Sequence, residues 1–381
     1  MVRIENAENG EKYTSHGVAG DRQVNAKWTA AIIIERRRRV KMRQAVMSAP
    51  GQIEHRQVAA PNPQTGEVLL RIRRIGVCGS DIHVWHGKHP FTSYPVVQGH
   101  EFSATVEQAG PGVSDLRLGS TVTVRPQLVC GKCAPCVRGD YNICNNLKVQ
   151  GFQAPGCAQD LIIAPRDRIV SLPDEMSFEQ GALVEPVAVA GHSTARAGDL
   201  TGLNVAVLGA GTIGNLVAQA ARCRGASKVL ISDTSQFRLE KTKECGIDAT
   251  CNVRDEKLDA AARRVFGDSA FDVAFEAAGS ELALDDAIQS VRKGGKIVVV
   301  GVFEQRPRVD ISVLGDRELS LVGTLMYKQQ DYEQAVEWIA SGAIQTGPLI
   351  TRHFPLDHYT QAYEFIEQQA DKTLKVMIDV N

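Results

Sequence analysis

The sequence has almost no net charge: 43 Lys and Arg stand against 44 Asp and Glu, a balance of -1. That excludes the basic excess expected of a nucleic-acid or acidic-surface binder. No apolar run approaches the roughly 18 residues that cross a bilayer, so no membrane partner is expected. The first residues carry no apolar segment of the secretory kind. A disulfide framework is also missing. The cysteines number nine, an odd count, and four of them fall between Cys130 and Cys144. Metal ligation in a reducing cytoplasm fits that crowding better. The rest is ordinary soluble composition, 43% hydrophobic and 23% charged over 381 residues, enough for two domains with real cores.

The most informative stretch is Val205–Gly214, VAVLGAGTIG. Val205–Leu208 reads as a buried parallel strand. Gly209, Gly211 and Gly214 follow as G-x-G-x-x-G, and Thr212 and Ile213 open a helix. The first glycine permits the tight turn, the second lets backbone approach a pyrophosphate, and the third lets helix lie close to strand. Helix N–H groups then face the phosphates. A second apolar run, Lys228–Ser232, ends at Asp233. An acid there accepts hydrogen bonds from a ribose 2′-OH and repels a 2′-phosphate, which favours NAD over NADP. Arg238 is placed to reach the adenine end, and Gly301 the nicotinamide end. A solvent-facing arginine and an ordinary turn glycine are the plainer readings.

Alternating units continue from there. Strands are expected at Ala249–Asn252, Phe271–Phe275, Lys296–Val300 and Leu319–Gly323. Helices are expected at Ile213–Arg224, Gln236–Cys245, Leu258–Phe266 and Leu282–Val291, with Gly294-Gly295 ending the last. This predicts a doubly wound parallel sheet. Before it, many short strands with glycine turns (Val68–Val77, Phe102–Glu107, Val122–Val124, Leu161–Ile163) predict a partly open barrel. The strand-like tail Leu374–Asp379 is expected to return to that barrel. Residues 42–188 and 325–381 are therefore assigned to one domain and 189–324 to a nucleotide domain, with a cleft between them. Residues 1–41 lack a stable period and end in Glu35-Arg36-Arg37-Arg38-Arg39. A basic arm, a disordered tail and a start site placed too early are all open. The last is preferred, because the domain pattern begins at Met42, and residues 1–40 are then expected to pack poorly.

Cys130, Cys133, Cys136 and Cys144 read C-x2-C-x2-C-x7-C. Four thiolates suit a closed structural zinc site; an iron–sulfur cluster is the rival. Cys78, His100 and Glu185 lie in separate segments. Thiolate, imidazole and carboxylate together make a catalytic zinc shell with an open position, although each residue alone also reads as core or surface. Glu101 either reaches the same ion or orients a ligand from behind.

On GVCGSDIH (Gly76–His83), GHE (Gly99–Glu101), the four-cysteine lobe, Glu185-Pro186 and GAGTIG (Gly209–Gly214), the chain resembles the zinc-dependent medium-chain dehydrogenase/reductase family. The likeness runs from about Met42 to Asp379. It implies a GroES-like catalytic domain beside a Rossmann domain, with one catalytic and one structural zinc. It also implies NAD, a small-molecule alcohol substrate and a homo-oligomer, tetramer or dimer. Cys78, His100 and Glu185 then take the catalytic-ligand positions, and Ser80 and His83 the proton-relay positions. Glu185, in ALVEPVAV with His192 beyond, points to the polyol, sorbitol dehydrogenase-like branch. The sequence departs from that pattern at Val84, where sorbitol enzymes carry Tyr, and at Met326, where they carry Arg before Tyr. Losing a guanidinium fork weakens recognition of a vicinal diol. A polyol, sugar acid or small diol is the expected substrate class. Threonine or another amino alcohol is the nearest alternative, and a non-catalytic dinucleotide sensor the alternative from another class. Trp85, Phe91 and Tyr327 are candidates for the substrate wall.

Overall fold

The structure, a computed structural model, describes residues 3–5, 12–14, 41–247 and 249–381. The expectation for residues 1–41 falls almost wholly outside the described residues. Within that stretch Arg3–Glu5 and Lys12–Thr14 form a short antiparallel ladder.

The strand Glu67–Val77 is the axis of the first sheet. Val68, Leu69, Leu70, Ile72 and Ile75 are fully buried along it, because both its faces are covered. It pairs antiparallel with Glu101–Ala109, with Leu161–Pro165 and with Lys375–Asp379. Across the sheet the order is Ile169–Ser171, Thr121–Val124, Glu101–Ala109, Glu67–Val77, Lys375–Asp379 and Ile350–Pro355. The tail does return to this sheet, as its apolar alternation implies. A hairpin, Lys41–Ala49 with Gln52–Ala59, lies beside it. The short helix Gly79–Trp85 follows the axial strand directly. Seven residues are too few to show a helical period, so the sequence reads there only as mixed polar and aromatic.

The second sheet is wholly parallel. Its order is Ala249–Asn252, Lys228–Asp233, Asn204–Leu208, Phe271–Glu276, Val291–Val299 and Ser320–Gly323. The order in which strands are added reverses between Asn204–Leu208 and Phe271–Glu276, the switch point where such sheets hold ligands. Gly294-Gly295 does not end a helix as expected. The helix Glu281–Ser290 stops earlier, and both glycines lie inside the strand Val291–Val299. There the register jumps from Phe271↔Val291 to Val273↔Lys296. The extra residues form a bulge, and the missing side chains make room for it.

The long helix Val184–Ala197 packs on Thr212–Cys223 and on Gln329–Ala340. One apolar core gathers Val184, Val187, Leu216, Val207, Tyr327, Tyr332 and Trp338. The dividing line drawn from sequence at 188/189 falls within the helix Val184–Ala197. Among the described residues no helix is long and apolar enough to cross a membrane.

Candidate metal and dinucleotide site

Cys78 is the residue between the axial strand and the helix Gly79–Trp85. Its amide donates to Asp81 Oδ2 at 3.0 Å, the local bond that starts the helix. His100 lies one residue before the strand Glu101–Ala109. It is preceded by Gly99 at φ +89°, where a Cβ would sit 2.7 Å from Cys157 Sγ. Glu101 pairs in register with Gly76, and a side chain on Gly76 would collide with the Glu101 carboxylate. The two adjacent strands thus bring Cys78, His100 and Glu101 together. One donor atom from each lies within 4.8 Å of the others.

The surroundings are those of a cation site. Asp81 is fully buried, and its Oδ1 stands 3.5 Å from His100 Nδ1. Burial pulls His100 down, but Asp81 and Cys78 more than reverse this and leave it well above its ordinary value. Glu101 is buried against Lys375, which also donates to Val77 O at 3.1 Å. Glu101 Oε1 is a buried oxygen with no hydrogen-bond partner. Buried acceptors that stay unpaired are costly unless something positive completes them. Sequence reasoning missed Asp81 and Lys375. The C-x-x-D spacing of Cys78 and Asp81 was a usable signal; nothing marked Lys375.

Glu185 lies outside that tightest cluster but beside it. Its carboxylate is buried and feels the charges of His100, Glu101 and Lys375. Burial pushes it up to about 7, with His100 opposing. Its Oε1 accepts the Tyr327 hydroxyl at 2.6 Å. Tyr327 is fully buried and edge-on to Tyr332, with centroids 5.0 Å apart, so it bears on Glu185 and does not form an open wall. Trp85 is likewise not an open wall: it packs on Tyr363 and donates to Glu367. Phe91 is largely exposed. The ring that does face the site is Phe152, 4.9 Å from His100 and stacked on His89.

The four cysteines of the lobe also meet. Cys133 Sγ lies 3.4 Å from Cys136 Sγ and 3.8 Å from Cys144 Sγ, and Cys144 lies 3.6 Å from Cys130. Zinc–sulfur bonds of about 2.3 Å in a tetrahedron put sulfurs about 3.8 Å apart. The spacing admits a single ion, not a multi-iron cluster. Backbone amides point at the sulfurs: Cys130 and Asn146 each donate to Cys144 Sγ at 3.3 Å. The amides of Lys132 and Cys133 lower Cys130 to about 6.

The glycine loop divides its labour. At Gly209, φ +105°, a Cβ would stand 2.8 Å from Ala278 N. At Gly214 a Cβ would collide with Gly209 O. At Gly211 it would meet no protein atom within 4 Å. Two glycines therefore serve the fold, and the third leaves free space before the helix Thr212–Cys223. Thr212 and Ile213 form its first turn. Asp233 accepts the amides of Ala210 at 2.7 Å and Ser235 at 2.8 Å. Arg238 donates to Ala370 O at 2.7 Å and lies 3.9 Å from Asp233. A Cβ on Gly301 would collide with Gly279 N and stand 2.6 Å from Glu276 Oε2, so packing alone requires glycine there. Ser80 is half-buried in the first turn of the helix Gly79–Trp85. His83 Nδ1, one turn on, lies 3.6 Å from Glu304 Oε1, and Lys88 reaches the same carboxylate at 3.2 Å. Glu304 follows the strand Val291–Val299 of the parallel sheet, so these contacts join the helix Gly79–Trp85 to the C-terminal end of that sheet.

Comparison with known proteins agrees with this geometry. Residues 64–174 match the alcohol dehydrogenase GroES-like domain, and residues 212–341 match the zinc-binding dehydrogenase family. Sorbitol dehydrogenase of Bacillus subtilis (strain 168) is 31% identical over 89% of this chain and 98% of its own length. The 2-dehydro-3-deoxy-L-galactonate 5-dehydrogenase of Pseudoalteromonas atlantica is 35% identical over 84% of this chain and 93% of its own. L-threonine 3-dehydrogenase of Chelativorans sp. is 33% identical over 84% and 93%.

Proposed function

The chain belongs to the zinc-dependent medium-chain alcohol dehydrogenase family, and on that premise we propose that it oxidises a secondary hydroxyl of a polyol, sugar acid or small diol with NAD. The observation that carries this reading is the buried meeting of Cys78, His100 and Glu101 donor atoms within 4.8 Å, with Glu185 alongside. Cys78, His100 and Glu185 hold the catalytic zinc, and Glu101 offers a further oxygen. Cys130, Cys133, Cys136 and Cys144 hold a structural zinc. Zinc, when bound, supplies a Lewis acid that eases loss of a hydroxyl proton near neutral pH, and NAD supplies the hydride acceptor. Asp81 and Tyr327 orient the ligands. Ser80 relays the hydroxyl proton, accepting it as its own hydroxyl proton passes on through the cofactor ribose hydroxyls to His83, on the same helix face, or to solvent. Phe152 covers the apolar side of the substrate carbon chain.

Gly209, Gly211, Thr212, Ile213 and Gly214 cradle the pyrophosphate. Asp233 binds the adenosine ribose, Arg238 borders the adenine, and Gly301 lies at the nicotinamide end. Met326, in place of a guanidinium, argues for a substrate other than sorbitol itself. L-threonine is the alternative, supported by the threonine dehydrogenase among the relatives. The enzyme works in the cytoplasm as a dimer or tetramer. The strand Ser320–Gly323 supports self-association: it is one of the two edge strands of the parallel sheet, with Leu321 exposed on it and Leu325 exposed just beyond.

NADH formation measured over a panel of polyols, aldonates, diols and L-threonine tests the substrate class. The same panel after chelation, and with Cys78→Ser, tests the chemistry. Turnover is expected to vanish in both while NAD binding survives. Full-rate oxidation by either protein overturns the zinc mechanism.

A further inference from the structure

The four-cysteine lobe and the catalytic site are joined by one segment, residues 325–331. Between Cys136 and Cys144 the lobe makes the turn Tyr141–Ile143, and this region grips the segment three times. Asn142 Nδ2 donates to Leu325 O at 3.0 Å. Lys328 Nζ donates to Asp140 Oδ1 at 2.8 Å. The Gln329 amide donates to Tyr141 Oη. Just ahead of the lobe, Gln127 Nε2 donates to Tyr327 O at 2.8 Å. Between these grips Met326 is held at φ +52°, a conformation that side chains rarely adopt. The product of this clamp is the placement of Tyr327, whose hydroxyl ends on Glu185.

A second arm runs in parallel. Asn142 Nδ2 lies 3.4 Å from His192 Nε2, and His192 Nδ1 lies 2.9 Å from Asp331 Oδ2. His192 and Glu185 share the helix Val184–Ala197, seven residues and two turns apart, hence on one face. Asp331 also accepts the Lys328 amide at 2.7 Å. Asn142, His192 and Asp331 are buried, so little water competes for the bonds of this arm.

We propose that the lobe closed by Cys130, Cys133, Cys136 and Cys144 positions Glu185 through Tyr327, so that an ion in the lobe strengthens metal binding at Cys78, His100 and Glu185. Tyr327 is a positioning residue: it touches the ligand and not the substrate. The coupling is reciprocal by linkage, so filling either site favours the other. The proposal rests on the reading of Cys78, His100 and Glu185 as metal ligands, and its test separates the two.

The experiment exchanges the labile metal for Co2+ and follows its thiolate charge-transfer and ligand-field absorption during titration. Wild-type protein comes first. An absorption lost in Cys78→Ser establishes the catalytic site; its absence removes that reading and with it the proposal. Tyr327→Phe deletes only the hydroxyl, while Asn142→Ala with Lys328→Met loosens the lobe from the segment. Circular dichroism shows that each variant is folded. Both are expected to weaken Co2+ binding at the Cys78 site about tenfold or more, as loss of a ligand-orienting partner does, and to shift the ligand-field bands. In the Tyr327→Phe background Lys328→Met should add nothing further, since its side chain grips only the segment that carries Tyr327, while Asn142→Ala adds only what the His192 arm carries. If the double substitution prevents folding, Lys328→Met alone completes the cycle, since Lys328 and Asp140 are both partly exposed. Unchanged Co2+ affinity and spectrum in Tyr327→Phe, or fully additive losses, overturn the proposal.

Discussion

Asp81 Oδ1 lies 3.5 Å from His100 Nδ1, while Asp81 Oδ2 accepts the Cys78 amide. One buried carboxylate thus faces the His100 ring with one oxygen and holds the Cys78 backbone with the other. It stands three residues from Cys78 and nineteen from His100, so a local capping bond and a long-range charge contact end on the same group.

Asp81→Asn keeps the size of that group and removes its charge. Zinc affinity at the Cys78 site is expected to fall about 10–100-fold, read by metal competition with a chromogenic chelator. NAD binding should stay unchanged.

Gly211→Ala and Gly214→Ala should separate binding from folding. A Cβ at Gly211 meets no protein within 4 Å, so the melting temperature should hold while NAD affinity falls. A Cβ at Gly214 runs into Gly209 O, and overpacking of this kind costs about 1–3 kcal/mol. Calorimetry and NAD titration on both variants check the contrast.

Lys375→Met strands the Glu101 carboxylate, which is 1% exposed. Breaking one side of a buried ion pair costs about 3–5 kcal/mol, so urea denaturation should show a loss of that size. Adding Glu101→Gln should recover much of it.

Asp233→Ala removes the acceptor proposed above for a ribose hydroxyl. The kcat/KM preference for NAD over NADP should drop by about tenfold, equal to ~1.4 kcal/mol. Some loss with both cofactors is expected too, because Asp233 also holds the Ala210 amide.

Much of this architecture can be read from the chain. The parallel sheet announces itself because its strands are short apolar runs bounded by glycine, as at Val205–Gly209. The lobe is equally plain, because zinc imposes short spacings on its ligands. What stays hidden depends on distant contacts. Lys375 is an unremarkable lysine until its strand pairs with Glu67–Val77. Tyr327 reads as a pocket aromatic until the clamp on residues 325–331 turns its hydroxyl onto Glu185. Gly294-Gly295 reads as a helix stop because glycine carries the same local signal for a cap and for a bulge. The departure of Glu185 from the tightest donor set is also invisible in sequence, since spacing says nothing of angle.

Val376 pairs with Val77, and Lys375 beside it braces Glu101. The cluster of Cys78, His100 and Glu101 therefore waits on a strand that is made only after the whole glycine-loop sheet. Nascent chains should be able to grip dinucleotide before they can grip metal, and the growing protein would stay chemically silent until its closing strand slides home.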